Sequence, residues 1–274
     1  MSSNDVYTEP VVDYTKGLRV DGKHFLVIGA GQGMGRQTTL ALAQNGAKVS
    51  CVDLDPARAE AVAKEVDGTP ISGDATTEAG VVAILQQAVA ANGPLDGVAD
   101  IIGMAHFAPI QETNEEIFVR QMMMNLGHAY LLLGKLPEYV NPKGASVAFV
   151  ASVSGLRSSP LHAAYGAAKA GLINLVGSAA VELGPRIRIN AVAPGQTRTP
   201  RMTEAHKGDD AYWAATTKVP AGRMGETSDI AGALLYFLSD LSGWVTGQTL
   251  VLDGGAGRKY QYTFRGEPGL PKES

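Results

Sequence analysis

His24-Phe-Leu-Val-Ile28-Gly29-Ala-Gly-Gln-Gly33-Met-Gly35-Arg36 is the stretch on which the fold turns. A short apolar, β-rich run stops at a cluster of glycines, and an alanine-rich helical stretch, residues 36–45, follows at once. The alternation continues outward. β-rich runs cover residues 47–52, 97–102, 145–150, 187–192 and 249–252, with helical stretches at 58–66, 80–91 and 163–183 between them. Strand–helix alternation with apolar strands predicts an α/β protein, a parallel sheet covered on both faces. No composition break or internal repeat divides the chain, so one domain is expected over 23–255. Residues 1–22 are read as an extension and 256–274 as a tail. The tail mixes charge and aromatics, which suits either a mobile terminus or an arm on a partner subunit.

Composition narrows the function. A net charge of −4 over 274 residues gives no footprint for nucleic acid or an anionic membrane. No apolar run is long enough to span a bilayer, and the start shows no secretion signal. Cys51 is the only cysteine, which excludes an internal disulfide and a cysteine-based metal cluster. It sits in an apolar run and reads as a small buried hydrophobe. A cytoplasmic protein acting on a small molecule is expected.

Four glycines in seven residues exceed what a plain strand-to-helix turn needs. In this context they permit a tight turn and close approach of backbone to a pyrophosphate, which the helix N-terminus also favours. Met34 breaks a GxGxxG reading from Gly29, so the match is Gly29-xxx-Gly33-x-Gly35. Asp53 closes the second strand. A carboxylate there accepts hydrogen bonds from both hydroxyls of an adenosine ribose and repels a 2′-phosphate. No basic residue follows it directly. Capping the next helix, ahead of Asp55-Pro56, is a competing role for Asp53, and the two roles can also divide between Asp53 and Asp55.

Tyr165-Gly-Ala-Ala-Lys169 places a phenol and an ammonium four residues apart on one helix face. A phenol titrates near pH 10 and serves poorly as an acid or base at neutrality. A neighbouring ammonium favours the phenolate and is expected to pull that pKa down.

With Ser152 upstream of that segment, the chain resembles the short-chain dehydrogenase/reductase family over roughly residues 20–255. The glycine turn is similar to the family's TGxxxGxG, and Ser152, Tyr165 and Lys169 match its serine and YxxxK. Asn125, in Met124-Asn-Leu-Gly, matches the asparagine of the family's catalytic set. Pro194-Gly195-Gln-Thr197-Arg-Thr199 and the stretch 243–255 resemble its later motifs. The resemblance implies a Rossmann-type, single doubly wound parallel sheet of about seven strands. It implies Tyr165 as acid/base, Ser152 as the holder of the substrate oxygen, and Lys169 as the group that tunes Tyr165 and binds the nicotinamide ribose. Asn125 would carry a water relay. The cofactor would be NAD, and no metal is required. Its binding set would be Gly29, Gly31, Gln32, Gly33, Met34 and Gly35 of the turn, Asp53 and Leu54, Asp74 and Ala75, Ile102 and Gly103, then Tyr165, Lys169, Pro194, Gly195, Thr197 and Thr199.

Two positions depart from the family pattern. Ile28 replaces the threonine before the first glycine, and NNAG reads Asp100-Ile-Ile-Gly103, which puts the geometry near Ile102 in question. A lid is expected over 199–225. The substrate pocket is expected to use His106, Phe107, Ser154, Leu156, Gly195, Met202 and Trp213, whose apolar weight favours a hydrophobic substrate. Arg157, Arg198 and Arg201 are placed at its rim. The expected activity is hydride transfer between NAD(H) and a secondary alcohol or ketone. A 3-oxoacyl thioester reductase and an inactive cofactor-binding regulator are the alternatives. A homotetramer, or a homodimer, is expected through helices at 114–139 and 163–183 and through 228–238 with the last strand.

Overall fold

The computed structural model describes residues 11–258. The chain opens its body with β1 (His24–Ile28), α1 (Gly33–Gln44), β2 (Lys48–Asp53), α2 (Pro56–Val66), β3 (Thr69–Ser72), α3 (Glu78–Asn92) and β4 (Gly97–Asp100). The second half adds α4 (Glu115–Met122), α5 (His128–Lys135), β5 (Ala145–Val150), α6 (Ala163–Leu183) and β6 (Ile187–Pro194). It then runs through β7 (Thr197–Arg198), α7 (Pro200–Ala205), α8 (Asp210–Thr216), β8 (Gly225–Glu226), α9 (Thr227–Leu238) and β9 (Thr249–Leu252).

Seven strands form one parallel sheet in the order β3-β2-β1-β4-β5-β6-β9, as expected of a doubly wound fold. All five residues of β1 are buried because helices cover both faces. Its side chains alternate. Leu26 and Ile28 join the core beneath α3, α5 and α6, and Phe25 and Val27 join the one beneath α1 and α9. The strand order reverses between β1 and β4. Ligands of open α/β sheets bind at such a reversal, outside the carboxyl ends of the strands.

β3 was not among the strands read from the sequence. Thr69-Pro-Ile-Ser72 is short and contains proline, which a sheet tolerates at its edge, where β3 lies. The expected strand through Ile102 ends at Asp100. The expected helix over 114–139 is broken by a π-helical turn, Met123–Gly127. Before β1, Val20 is buried and its N–H donates to Asn45 C=O at 2.9 Å, so this part of the extension packs on the body. The expected partner-contacting tail falls almost wholly on residues 259–274, outside those described. Among the described residues no helix is long and apolar enough to cross a membrane.

Candidate active site

The glycine turn is held from beneath by backbone. Gly29 N–H and Ala30 N–H both donate to Val52 C=O, at 2.9 and 2.8 Å, so the turn is pinned without a threonine hydroxyl; Ile28 instead fills the core. Gly33 has φ +58°, a conformation that favours glycine. A Cβ on Gly35 would stand 1.8 Å from Gly29 C=O, so only glycine lets α1 lie this close to the turn. Gln32, at the N-cap of α1, makes no side-chain hydrogen bond to it. The first N–H groups of α1 therefore keep their capacity for an anion.

The two aspartates divide their roles. Asp55 caps α2, accepting from Ala57 N–H at 3.0 Å. Asp53 accepts from Gly31 N–H and Asp55 N–H, each at 3.0 Å, and faces the cleft. That cleft, about 330 Å³, is lined by Gly29, Gln32, Gly33, Met34, Asp53 and Leu54. Asp74, Ala75, Ile102, Gly103 and Thr199, also expected, continue the lining. Arg58 and Arg201 line it too. Arg58 was missed because sequence adjacency to Asp53 was the criterion. The first turn of α2 returns it to the cleft, where it lies 3.4 Å from Asp55. Of the remaining expected cofactor residues, Gly31 and Gly35 shape the turn, while Gly195 packs on Asp253 and receives the Thr197 hydroxyl at 3.2 Å. The glycine cradle, the uncapped helix and the carboxylate at the end of β2 fit a nicotinamide dinucleotide.

β5 delivers the polar centre. Ser152, just beyond its end, has extended backbone and accepts from Ser154 N–H at 3.1 Å. α6 carries Tyr165 and, one turn on, Lys169, which is fully buried. The Lys169 ammonium donates to Val150 C=O at 2.7 Å and to Ile102 C=O at 3.5 Å, and lies 5.9 Å from the Tyr165 ring centre. Asn125 sits in the π-helical turn, wholly buried. Its amide donates to Met104 C=O at 3.1 Å and Gln121 C=O at 3.0 Å and accepts from Met104 N–H at 2.9 Å. A Cβ on Gly103 would meet Lys169 Nζ at 2.8 Å and Asn125 Oδ1 at 3.0 Å, so the loop after β4, the π turn and α6 converge at one point. The geometry near Ile102 is thus well defined despite its departure from the family pattern.

Burial pushes the Tyr165 phenol above the usual tyrosine range, and the facing Ser152 hydroxyl opposes that rise. Burial pulls Lys169 down to about 8, opposed by the charge of Asp100. The expected depression of Tyr165 by Lys169 is not seen. Desolvation dominates the phenol, and the ammonium, nearly 6 Å from the ring centre, donates to backbone carbonyls.

None of the expected substrate-pocket side chains lines the cofactor cleft. Phe107 packs edge-on against His162 at 4.7 Å, and His162 lies 6.1 Å from Tyr165, making His162 an unforeseen neighbour of the centre. The His106 N–H donates to Gln121 at 3.1 Å, and Leu156 is exposed. Trp213 is engaged within its own segment, its indole N–H donating to His206 C=O at 2.9 Å beside Tyr212, whose hydroxyl lies 3.1 Å from the Met202 sulfur. Two of the three rim arginines are paired, Arg157 with Asp253 at 3.3 Å and Arg198 with Glu226 at 3.6 Å.

Known proteins align along nearly the same length. A family model described as enoyl-(acyl carrier protein) reductase matches residues 29–257. The 3-oxoacyl-[acyl-carrier-protein] reductase of Thermotoga maritima is 33% identical over 245 residues, covering 87% of this chain and 99% of its own. The 2-keto-3-deoxy-L-fuconate dehydrogenase of Xanthomonas campestris is 33% identical over 249 residues, covering 88% of this chain and 82% of its own. The structure of a 7α-hydroxysteroid dehydrogenase complexed with NADH and 7-oxo glycochenodeoxycholic acid superposes with a TM-score of 0.85 at 25% identity, over 89% of this chain and 98% of that one. Sheet order, glycine turn and the family match together make this chain a member of the short-chain dehydrogenase/reductase family, an oxidoreductase that works with a nicotinamide cofactor.

Proposed function

We propose that the chain is an NAD(H)-dependent dehydrogenase of secondary alcohols, equally a reductase of ketones, with a hydrophobic, uncharged substrate. The observation that carries it is the convergence of Lys169 and Asn125 at Gly103, with Tyr165 and Ser152 alongside. When bound, the nicotinamide gives or takes the hydride. The Ser152 hydroxyl and the Tyr165 phenol hold the substrate oxygen where charge develops. Tyr165 passes a proton to or from that oxygen. Lys169, able to exchange a proton near neutrality, resupplies Tyr165 and meets the nicotinamide ribose. Asn125 fixes the loop after β4 against the helix and closes the wall around Lys169.

Asp53 supports NAD(H) over NADP(H), since a 2′-phosphate would meet its carboxylate. Arg58, the cation that would favour the phosphate, is turned to Asp55. The paired states of Arg157 and Arg198 weigh against an anionic substrate. The 3-oxoacyl thioester reductase reading keeps one support, the 33%-identical relative of that name. Two faces support self-assembly. One is a recess of about 440 Å³ between the π turn and α6, walled by Met122, Met123, Leu126, Tyr130 and Leu175. The other is the β9 edge with exposed Leu250 and Trp244. A homotetramer, or a homodimer, is the proposed assembly. A cytoplasmic location belongs to the proposal.

The test is turnover of uncharged secondary alcohols with NAD+ and NADP+, beside carboxylated analogues and a 3-oxoacyl thioester. Uncharged alcohols with NAD+ should give the highest kcat/KM. Preference for the thioester with NADPH would replace this reading with the alternative.

A further inference from the structure

Behind Lys169 lies a charged group that the proposed reaction does not use. β4 ends on Asp100, whose side chain is 1% exposed. Its Oδ1 accepts from Ile102 N–H at 3.1 Å and faces His128 Nε2 at 3.2 Å; His128, the first residue of α5, is equally buried. Both ring nitrogens of His128 face acceptors, Nε2 the Asp100 carboxylate and Nδ1 the Met123 C=O at 3.4 Å. Oδ2 is buried without a hydrogen-bond partner among the described residues. A carboxylate in such a place is costly unless a cation answers it. Lys169 and Asp100 share one residue: Ile102 gives its N–H to Asp100 and its C=O to the ammonium. The ammonium has the converse need, being fully buried with backbone carbonyls as its acceptors. Asp100 stabilises its charged form against that burial.

We propose that Asp100, oriented by His128, is a positioning residue for the reaction, the fixed counter-charge that keeps Lys169 an ammonium inside the closed site. The proposal deepens the function above and rests on its placing of Lys169. His128 stops the carboxylate rotating, so its charge stays at one distance from the ammonium. The titratable groups around Lys169 are Asp100 from β4, His128 from α5 behind it, and Tyr165 one turn earlier on α6. Ser152 and Asn125 add neutral dipoles.

The first test uses the cofactor-free protein and needs no turnover. Lys169 sits at about 8 when folded against 10.5 ordinarily. Between those values the unfolded chain holds a proton that the folded chain has lost, so this group's contribution to stability rises with pH across the window. Asp100→Asn removes the counter-charge, lowers the folded value and starts that rise roughly one pH unit earlier. Thermal midpoints of the parent, Asp100→Asn, Lys169→Met and the double variant are measured from about pH 6 to 10. A pH-dependent effect of Asp100→Asn that vanishes in the Lys169→Met background is expected. An effect constant with pH, or unchanged without Lys169, overturns the proposal. The second test is the pH profile of ketone reduction. Its alkaline limb should move down by roughly one unit in Asp100→Asn, part of that in His128→Phe, and little in His128→Gln, which retains a donor. If Asp100→Asn does not fold, the His128 pair decides: equal limbs in the Phe and Gln variants overturn the proposal. Absence of any turnover in the parent would sink the proposed function alone, because the stability cycle still answers for Asp100.

Discussion

Tyr165 and Lys169 feel the same burial in opposite senses: the phenol is pushed up and the ammonium down, each toward its neutral form. Chemistry at this centre depends on the phenol reaching the substrate oxygen. Tyr165→Phe removes only that hydroxyl and should lower kcat by about 10²–10⁴-fold, while NADH affinity, read by fluorescence titration, changes little. Retention of most activity would show that another group moves the proton. Asp53 offers a second test at this scale. Asp53→Ala removes the carboxylate that a 2′-phosphate would meet, so the NAD(H) to NADP(H) ratio of kcat/KM should fall by at least about tenfold, roughly 1.4 kcal/mol of discrimination. A ratio unmoved by the substitution would place cofactor choice elsewhere. That Tyr165 and Lys169 share a helix face was legible from their spacing, whereas Ser152 and Asn125 were picked out by the family resemblance alone. Arg58, Asp100, His128 and His162 were not, because their meaning lies in distances across the chain. The Asp100–His128 contact joins β4 to α5, and Phe107 meets His162 from a different loop.

Elements set how finely those residues are placed. The π-helical turn Met123–Gly127 carries Asn125 into contact with Met104, a placement that hydrophobic periodicity over 114–139 does not reveal. β3 escaped the sequence reading because four residues with a proline give no clear alternation. The long apolar strands and α6 were plain for the opposite reason. α1 is tightly specified at its first turn. Gly35→Ala puts a methyl into the Gly29 carbonyl and should cost about 1–3 kcal/mol, measured by urea denaturation. A neutral result would mean the turn relaxes freely. In the segment proposed as a lid, α7 and α8 are joined through Met202, Tyr212, His206 and Trp213. Trp213→Ala should raise KM several-fold by loosening that junction while changing global stability by less than about 1 kcal/mol. A loss of stability comparable to a core truncation would show instead that the lid is part of the folding unit.

For the whole molecule, the apolar recess beside α6 and the exposed β9 edge make assembly the next question. Light scattering at micromolar concentration should give a mass well above 28.6 kDa, and Tyr130→Glu should shift it downward. A parent protein that runs as a monomer ends the assembly proposal. The strand order has a consequence of another kind, in time. A chain made from its N-terminus releases β1 early, yet β1 lies between β2 and β4, and its partner residues at Gly97–Asp100 emerge only after α1, β2, α2, β3 and α3. Through that interval one edge of the most apolar strand, Phe25 to Ile28, has no neighbour. Pairings between distant segments form slowly and expose such edges to other chains. The arrangement that puts the ligand cleft at the reversal of the sheet therefore also gives the growing polypeptide its longest period of vulnerability, and ribosome-bound fragments ending before Gly97 should engage chaperones that fragments extending well past Asp100 no longer need.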